Sequence, residues 1–218
     1  MDLYPLTEKN FRALVKRVGT LLAKGGVAAV PTDTVYGLAA DVEAPEAVAK
    51  VARIKGRSPQ KAMPVFVRDT AMARQYVQIE PELMPFLERI WPGQTTVVFL
   101  RKPRMLPDAV SGGMKTVGLR VPAHPFLRAL LEDYPHPLTG TSANISGGEP
   151  AQSGEAVRRA FAGRVPRPDL IVDAGMLPPS PPSTVLDLTD PRKPQILRMG
   201  AVTKEKLEEF FSFLGPKP

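Results

Sequence analysis

The 218-residue chain contains no cysteine. Disulfides, a thiolate nucleophile and cysteine metal sites are therefore excluded, and the absence fits a cytoplasmic protein. Histidine is almost missing as well. His124 and His136 each precede a proline, and no second ligand type stands at metal-binding spacing. Aromatic residues are only 6% of the chain, with no aromatic-rich stacking motif of the RNA-recognition type. No apolar run approaches the roughly 18 residues that cross a bilayer. The start, Met1-Asp2-Leu3-Tyr4-Pro5, lacks the basic and apolar regions of a signal peptide. There is no Gly-x-Ser-x-Gly elbow for a hydrolase serine.

What is present is a chain 43% hydrophobic and 23% charged, enough for one substantial core. A single domain over residues 1–218, with no further C-terminal domain, is the expectation. The net charge of +7 and a pI of about 9.8 leave two readings: an anionic partner such as a nucleotide or RNA, or a basic but indifferent surface. The 25 prolines make short, stiff loops, among them Pro178-Pro179-Ser180-Pro181-Pro182, read first as a surface loop and otherwise as a lid or a spacer.

Periodicity predicts helices over Thr7 to Lys24, Pro45 to Lys55, Thr70 to Gln75, Pro81 to Ile90, Pro125 to Glu132, Ser153 to Phe161 and Thr203 to Leu214. Phe11, Leu14, Val15, Val18, Leu21 and Leu22 mark the buried face of the first, and Leu207, Phe210, Phe211 and Leu214 that of the last. Strands are predicted at Val27 to Val30, Met63 to Val67, Thr95 to Leu100, Thr116 to Val121, Pro137 to Gly140, Leu170 to Asp173, Thr184 to Leu188 and Gln195 to Arg198. Helices and strands alternate, which predicts an α/β layered fold. The stretch Leu170 to Arg198 has no helix between its strands, so antiparallel pairs and a mixed sheet are expected.

The most informative segment is Pro31-Thr32-Asp33-Thr34-Val35-Tyr36-Gly37-Leu38. A buried strand ends there in more hydrogen-bonding groups than a turn needs for itself. One helix later, Lys55-Gly56-Arg57-Ser58-Pro59-Gln60-Lys61 gathers cations. A helix C-terminus accounts for Lys55, partly for Arg57 and poorly for Lys61. The two clusters together point to a polar molecule beside a polyphosphate. Arg120 lies in an apolar strand and must face water or a partner anion. Thr141-Ser142-Ala143-Asn144-Ile145-Ser146-Gly147-Gly148 either lets backbone N–H groups approach a phosphate or satisfies only its own turn. Gly113-Met114-Lys115-Thr116 fails as a phosphate-binding loop. Met114 splits the Gly-Lys pair, and a strand follows where a helix must begin.

In chain order the motifs are Pro-Thr-Asp-Thr-Val-Tyr-Gly, Lys-x-Arg, Trp91-Pro92-Gly93, Arg120-Val121-Pro122, Ser142-x-Asn144, Ser183-Thr184-Val185 and Leu197-Arg198-x-Gly200. No one of them is specific; their order from about Gly26 to Val202 resembles the YrdC-like threonylcarbamoyl-adenylate synthases. The resemblance implies a twisted, open mixed β-sheet flanked by helices, with a basic concave face. It implies a reaction of L-threonine, bicarbonate and ATP, with Mg²⁺ accompanying the ATP, in the first step of a tRNA modification. By motif match, Thr34, Arg120 and Ser183 would hold threonine. Lys55, Arg57, Lys61, Thr116, Ser142, Asn144 and Arg198 would hold ATP, with Lys55 and Arg57 the catalytic pair. Implied partners are tRNA or double-stranded RNA on the basic face and downstream tRNA threonylcarbamoyl-transfer proteins, with no membrane. The competing reading is an RNA-binding module using that face on phosphates. The chain departs from the family where Ser58 separates Arg57 from Pro59 and where Met199 replaces a common proline.

Overall fold

The first predicted helix comes in two parts. The computed structural model describes residues 1–58 and 60–211, and in it Glu8–Asn10 forms a 3-10 turn before α1, Phe11–Ala23. The Asn10 side chain accepts the Thr7 N–H at 2.9 Å and so fixes the entry. At the other end, the N–H groups of Gly25 and Gly26 return to the carbonyls of Leu22 and Leu21 and stop the helix. Leu14, Val15, Val18 and Leu22 form the buried stripe. The remaining helices are α2 (Pro45–Lys55), α3 (Thr70–Tyr76), α4 (Met84–Ile90), α5 (Asp108–Ser111), α6 (Pro125–Asp133), α7 (Gly154–Ala160) and α8 (Lys204–Phe211). Predicted positions 212–214 of the last helix lie outside the described residues.

Among the described residues, eleven strands follow the chain: β1 (Asp2–Pro5), β2 (Ala28–Val30), β3 (Gly37–Ala39), β4 (Val65–Phe66), β5 (Thr95–Leu100), β6 (Thr116–Arg120), β7 (Leu138–Thr139), β8 (Thr141–Ser142), β9 (Leu170–Asp173), β10 (Thr184–Asp187) and β11 (Gln195–Arg198). They make open mixed sheets rather than one: β1-β9-β2-β3-β8 and β11-β10-β5-β6-β4-β7. The expected antiparallel run from Leu170 to Arg198 holds only for β10 and β11. β9 instead enters the other sheet, parallel to β1 and to β2. A short sequence gap does not force two strands to pair when a buried slot is open elsewhere.

That slot is visible in the core. Ala28 and Val30 of β2 and Leu170 and Val172 of β9 pack with α1 and α6, while Ala29 and Ile171 face the opposite cluster with α2 and α7. Both strands are buried on both faces, which their continuous apolar runs require. Phe11 of α1 meets Phe126 of α6 edge-on at 5.9 Å. In the six-stranded sheet β4 and β7 are buried on both faces, while β5, β6 and β10 turn mainly one face to the core. Val97, Phe99, Val117, Leu119 and Leu186 enter the core, whereas Val98, Thr116, Gly118 and Val185 stay half-exposed.

The two sheets are joined where β3 passes β7. The Thr139 hydroxyl donates to the Leu38 carbonyl at 2.8 Å and accepts the Ala40 N–H at 3.0 Å. Beside it, Asp41 accepts the Tyr134 phenol at 2.8 Å and lies 2.8 Å from His136 Nδ1, while Tyr76 donates to Glu43 at 2.6 Å. His136 is thereby used structurally, and its pKa is raised, chiefly by the Asp41 hydrogen bond.

One core polar group has no such use. Thr95 is 1% exposed, and its hydroxyl has no hydrogen-bond partner among the described residues. An orphaned hydroxyl costs stability that an isosteric methyl does not. Thr95→Val is expected to add about 1 kcal/mol and raise Tm by about 2–4 °C in thermal denaturation. A fall of that size would mean the hydroxyl has a partner after all. No described helix is long and apolar enough to cross a membrane.

Candidate functional site

The register of the six-stranded sheet builds the floor of the site. Arg198 of β11 pairs with Val185 of β10, Val185 with Thr96 of β5, and Arg120 of β6 with Phe66 of β4. The β5–β6 ladder, in which Val97 faces Leu119, sets Thr96 opposite Arg120. Arg198, Thr96, Arg120 and Phe66 therefore share one transverse row on the half-exposed face, because paired residues point the same way. The five-stranded sheet closes the other side through the β2–β3 turn and β8. Between them lies a cavity of about 260 Å³. Its wall includes Thr34, Arg57, Arg120, Ser142, Ser183 and Arg198 of the residues expected from sequence.

Arg120 is held on three sides. Its Nε donates to the Gly93 carbonyl at 2.8 Å and its Nη1 to the Thr34 hydroxyl at 3.1 Å. Nη2 forms an ion pair with Asp33 Oδ1 at 2.8 Å, and the Asp33 carboxylate has no other partner among the described residues. Burial lowers the Arg120 pKa and Asp33 opposes it. The turn itself is tied by Thr32, whose hydroxyl accepts the N–H groups of Thr34 and Val35 and donates to the Val35 carbonyl. Tyr36, a neighbour in sequence, is spent elsewhere. Its hydroxyl donates to the Gly175 carbonyl at 2.9 Å and accepts the Ala174 N–H, and burial raises its pKa.

The cationic segment divides. Arg57 reaches the cavity and is braced by the carbonyls of Lys61 and Ala62 and the Thr141 hydroxyl. Burial lowers its pKa. Lys55 does not line the cavity. It is 2% exposed, behind Ser142, and its Nζ donates to Ser142 O at 2.5 Å, Asn144 O at 2.9 Å and Asn144 Oδ1 at 3.0 Å. Its backbone carbonyl accepts the Ser146 N–H at 2.9 Å. The Ser142 hydroxyl donates to Asn144 Oδ1 at 2.6 Å, and the Asn144 amide donates to the Gly148 carbonyl. Burial, then the charges of Arg57 and Lys61, push the Lys55 pKa down to about 7. Lys55 and Asn144 thus support the loop whose Ser142 faces the cavity. Lys61 and Thr116 lie outside the wall; Thr116 shares the outward face of β6 with Arg120, further along the strand.

The proline segment forms one rim. Pro182 and Ser183 line the cavity, and Arg198 Nη2 donates to the Ser183 carbonyl at 2.6 Å. Ala201 N–H returns to the Pro182 carbonyl at 3.0 Å, and Gly200 passes so close that a Cβ would sit 2.2 Å from that oxygen. This is the physical reason for glycine in Leu197-Arg198-x-Gly200. Further along, the Gln152 amide reaches the Ser180 carbonyl at 3.4 Å. Sequence reasoning missed Phe66 and Thr96, and placed Thr141 in a candidate turn without giving it a role. Phe66 and Thr96 sit in ordinary strand patterns, and only the register brings them to this row. Among the described residues no group of His, Asp and Glu is placed to hold a metal ion.

Residues 20–200 match the family model Sua5_yciO_yrdC, described as "Telomere recombination". The chain is 34% identical to the threonylcarbamoyl-AMP synthase of Bacillus subtilis over 203 residues, 93% of this chain and 57% of the relative. It is similar to the crystal structure of Pyrococcus abyssi Sua5 complexed with L-threonine, with a TM-score of 0.86 and 28% identity over 96% of this chain and 60% of that one. Escherichia coli YciO gives a TM-score of 0.80 at 26% identity over 94% and 98% of the two chains. The chain thus spans under two thirds of the B. subtilis and P. abyssi proteins.

Proposed function

The chain belongs to the Sua5/YciO/YrdC family, and from that premise we propose that it makes threonylcarbamoyl-AMP from L-threonine, bicarbonate or carbon dioxide, and ATP, releasing pyrophosphate. The observation that carries the reading is the shared cavity, with Thr34, Arg120 and Ser183 on the same wall as Arg57, Ser142 and Arg198. An amino acid and a nucleotide need one hollow with two kinds of anion recognition, and a clamp for RNA backbone needs no enclosed pocket of small hydroxyls.

Arg120 takes the threonine carboxylate, with the Thr34 hydroxyl beside it. The threonine amine in its neutral form attacks carbon dioxide and loses a proton, giving a carbamate. A carbamate oxygen attacks the α-phosphorus of ATP, and the bond to the β-phosphate oxygen breaks as pyrophosphate leaves. No covalent enzyme intermediate is required, so the chain's task is positioning and charge stabilisation. Arg57 and Arg198 face the phosphates, and Ser142 presents its loop to them. Mg²⁺ belongs to the ATP: the described wall residues include no carboxylate to hold it. The product is labile and passes to proteins that transfer threonylcarbamoyl to tRNA in the cytoplasm.

The test is pyrophosphate release from protein, MgATP, bicarbonate and L-threonine. Release is expected to stop when threonine is omitted, and Arg57→Ala is expected to cut it at least about tenfold. Release that ignores threonine, alongside tight RNA binding, would replace this reading with an RNA-binding module.

A further inference from the structure

The Ser183 hydroxyl is held by a second hydroxyl that lies behind the cavity wall. Thr96 Oγ1 lies 2.8 Å from Ser183 Oγ, and Thr96 is 2% exposed and absent from the cavity wall. The two meet because β5 and β10 run parallel, with Val185 beside Thr96, so Ser183 is the diagonal neighbour on the same face. Position 118 makes room: a Cβ on Gly118 would lie 3.0 Å from Thr96 Cγ2.

The direction of that hydrogen bond follows from counting partners. The Thr96 O–H has no acceptor among the described residues other than Ser183 Oγ. A buried hydroxyl proton does not go unpaired when an acceptor lies 2.8 Å away. Either oxygen could donate across this contact, but Ser183 lines the cavity and Thr96 does not, so the arrangement that gives both protons an outlet has Thr96 donating. Arg198 Nη2, which can only donate, approaches the same Ser183 oxygen at 3.4 Å. With both lone-pair sides of Ser183 Oγ facing donors, its own proton is left to point away from them, toward the cavity. Ser183 is thus presented to the ligand as a donor, the polarity a carboxylate requires.

Resting on the function proposed above, we propose that Thr96 is a positioning residue that turns the Ser183 hydroxyl into a fixed donor for the amino-acid carboxylate, sharing that anion with Arg120. Arg198 touches the same serine, so the amino-acid and nucleotide ends of the cavity meet at one side chain. Without Thr96 the Ser183 proton is free to rotate toward the vacated side, and the carboxylate loses a pre-aimed donor.

The experiment is calorimetric titration of L-threonine, with steady-state kinetics in parallel. Thr96→Val keeps the shape and removes the hydroxyl. It is expected to weaken threonine binding and raise its KM about tenfold while leaving the KM for ATP within about twofold. Thr96→Ser is expected to restore threonine binding, and Thr96→Val added to Ser183→Ala is expected to cost nothing more. A Thr96→Val protein that melts with the parent but binds threonine equally well would overturn the proposal. So would equal losses for threonine and ATP, or failure of Thr96→Ser to restore binding. If the parent binds threonine but releases no pyrophosphate, the proposed reaction falls while the titration still decides the role of Thr96.

Discussion

Arg120→Ala is expected to abolish threonine-dependent pyrophosphate release and to lower Tm by about 6–20 °C. The size of the second effect comes from what the substitution leaves behind. Arg120 is buried and Asp33 nearly so, with side-chain exposures of 4% and 14%, and Nη2 to Oδ1 is 2.8 Å. Breaking such a pair from one side costs about 3–5 kcal/mol, since the surviving charge stays in a poor solvent. Asp33 is especially exposed to this penalty because, among the described residues, its carboxylate has no second partner to fall back on. Removing both charges removes the penalty. The double variant Asp33→Asn, Arg120→Met is therefore expected to recover most of the lost Tm and none of the turnover. That split separates the stability role of the pair from its ligand role. An Arg120→Ala protein that melts with the parent would show that the ion pair is not the internal brace inferred from its geometry.

Lys55→Met is expected to cut turnover about 100-fold or more, although the side chain does not line the cavity. Three acceptors surround its Nζ: Ser142 O, Asn144 O and Asn144 Oδ1. Only an ammonium has three donors to match them. Methionine fills the volume but leaves those groups unpaired, and the Ser142-to-Gly148 loop loses its anchor. The same lysine predicts two opposite trends with pH. Its pKa falls from the ordinary 10.5 to about 7 in the folded chain. Between those values the unfolded chain holds a proton that the folded chain has released, so this group makes stability rise with pH across that window. The loop anchor weakens over the same window, because the neutral amine has one donor fewer. The Lys55-dependent part of ATP binding is expected to decline as pH rises through about 7, while its contribution to stability grows. In Lys55→Met both trends should vanish. Urea titrations and ATP titrations at matched pH values measure them separately, and parallel rather than opposed changes would contradict the assignment.

Short-range features were readable without coordinates. The helical faces of α1, α2 and α6 follow from apolar spacing, and the strands at Thr95, Thr116 and Leu170 from runs of β-branched residues. Arg120 could be singled out because a guanidinium in an apolar strand has to face water or a partner anion. Thr34 stood out in a cluster of hydroxyls at a strand end, whereas Ser142 and Ser183 were reached as site residues only through the family resemblance. β3 and β8 were not readable, because Gly37–Ala39 and Thr141–Ser142 are too short for propensity to register and pair only because neighbours are already in place. Lys55 and Thr96 show the same limit in side chains. A lysine at a helix C-terminus reads as solvated, and a threonine in a strand reads as filler.

The order of residues by itself determined which segments coil or extend and where turns carry hydroxyls and cations, since these depend on neighbours a few positions apart. Tertiary structure alone decided that the strands divide into two sheets, that β9 lies beside β1 and β2, and that Arg198, Thr96 and Arg120 fall in one row. Register and burial are set by contacts between segments far apart in the chain, and a local pattern carries no information about which distant partner fills the space.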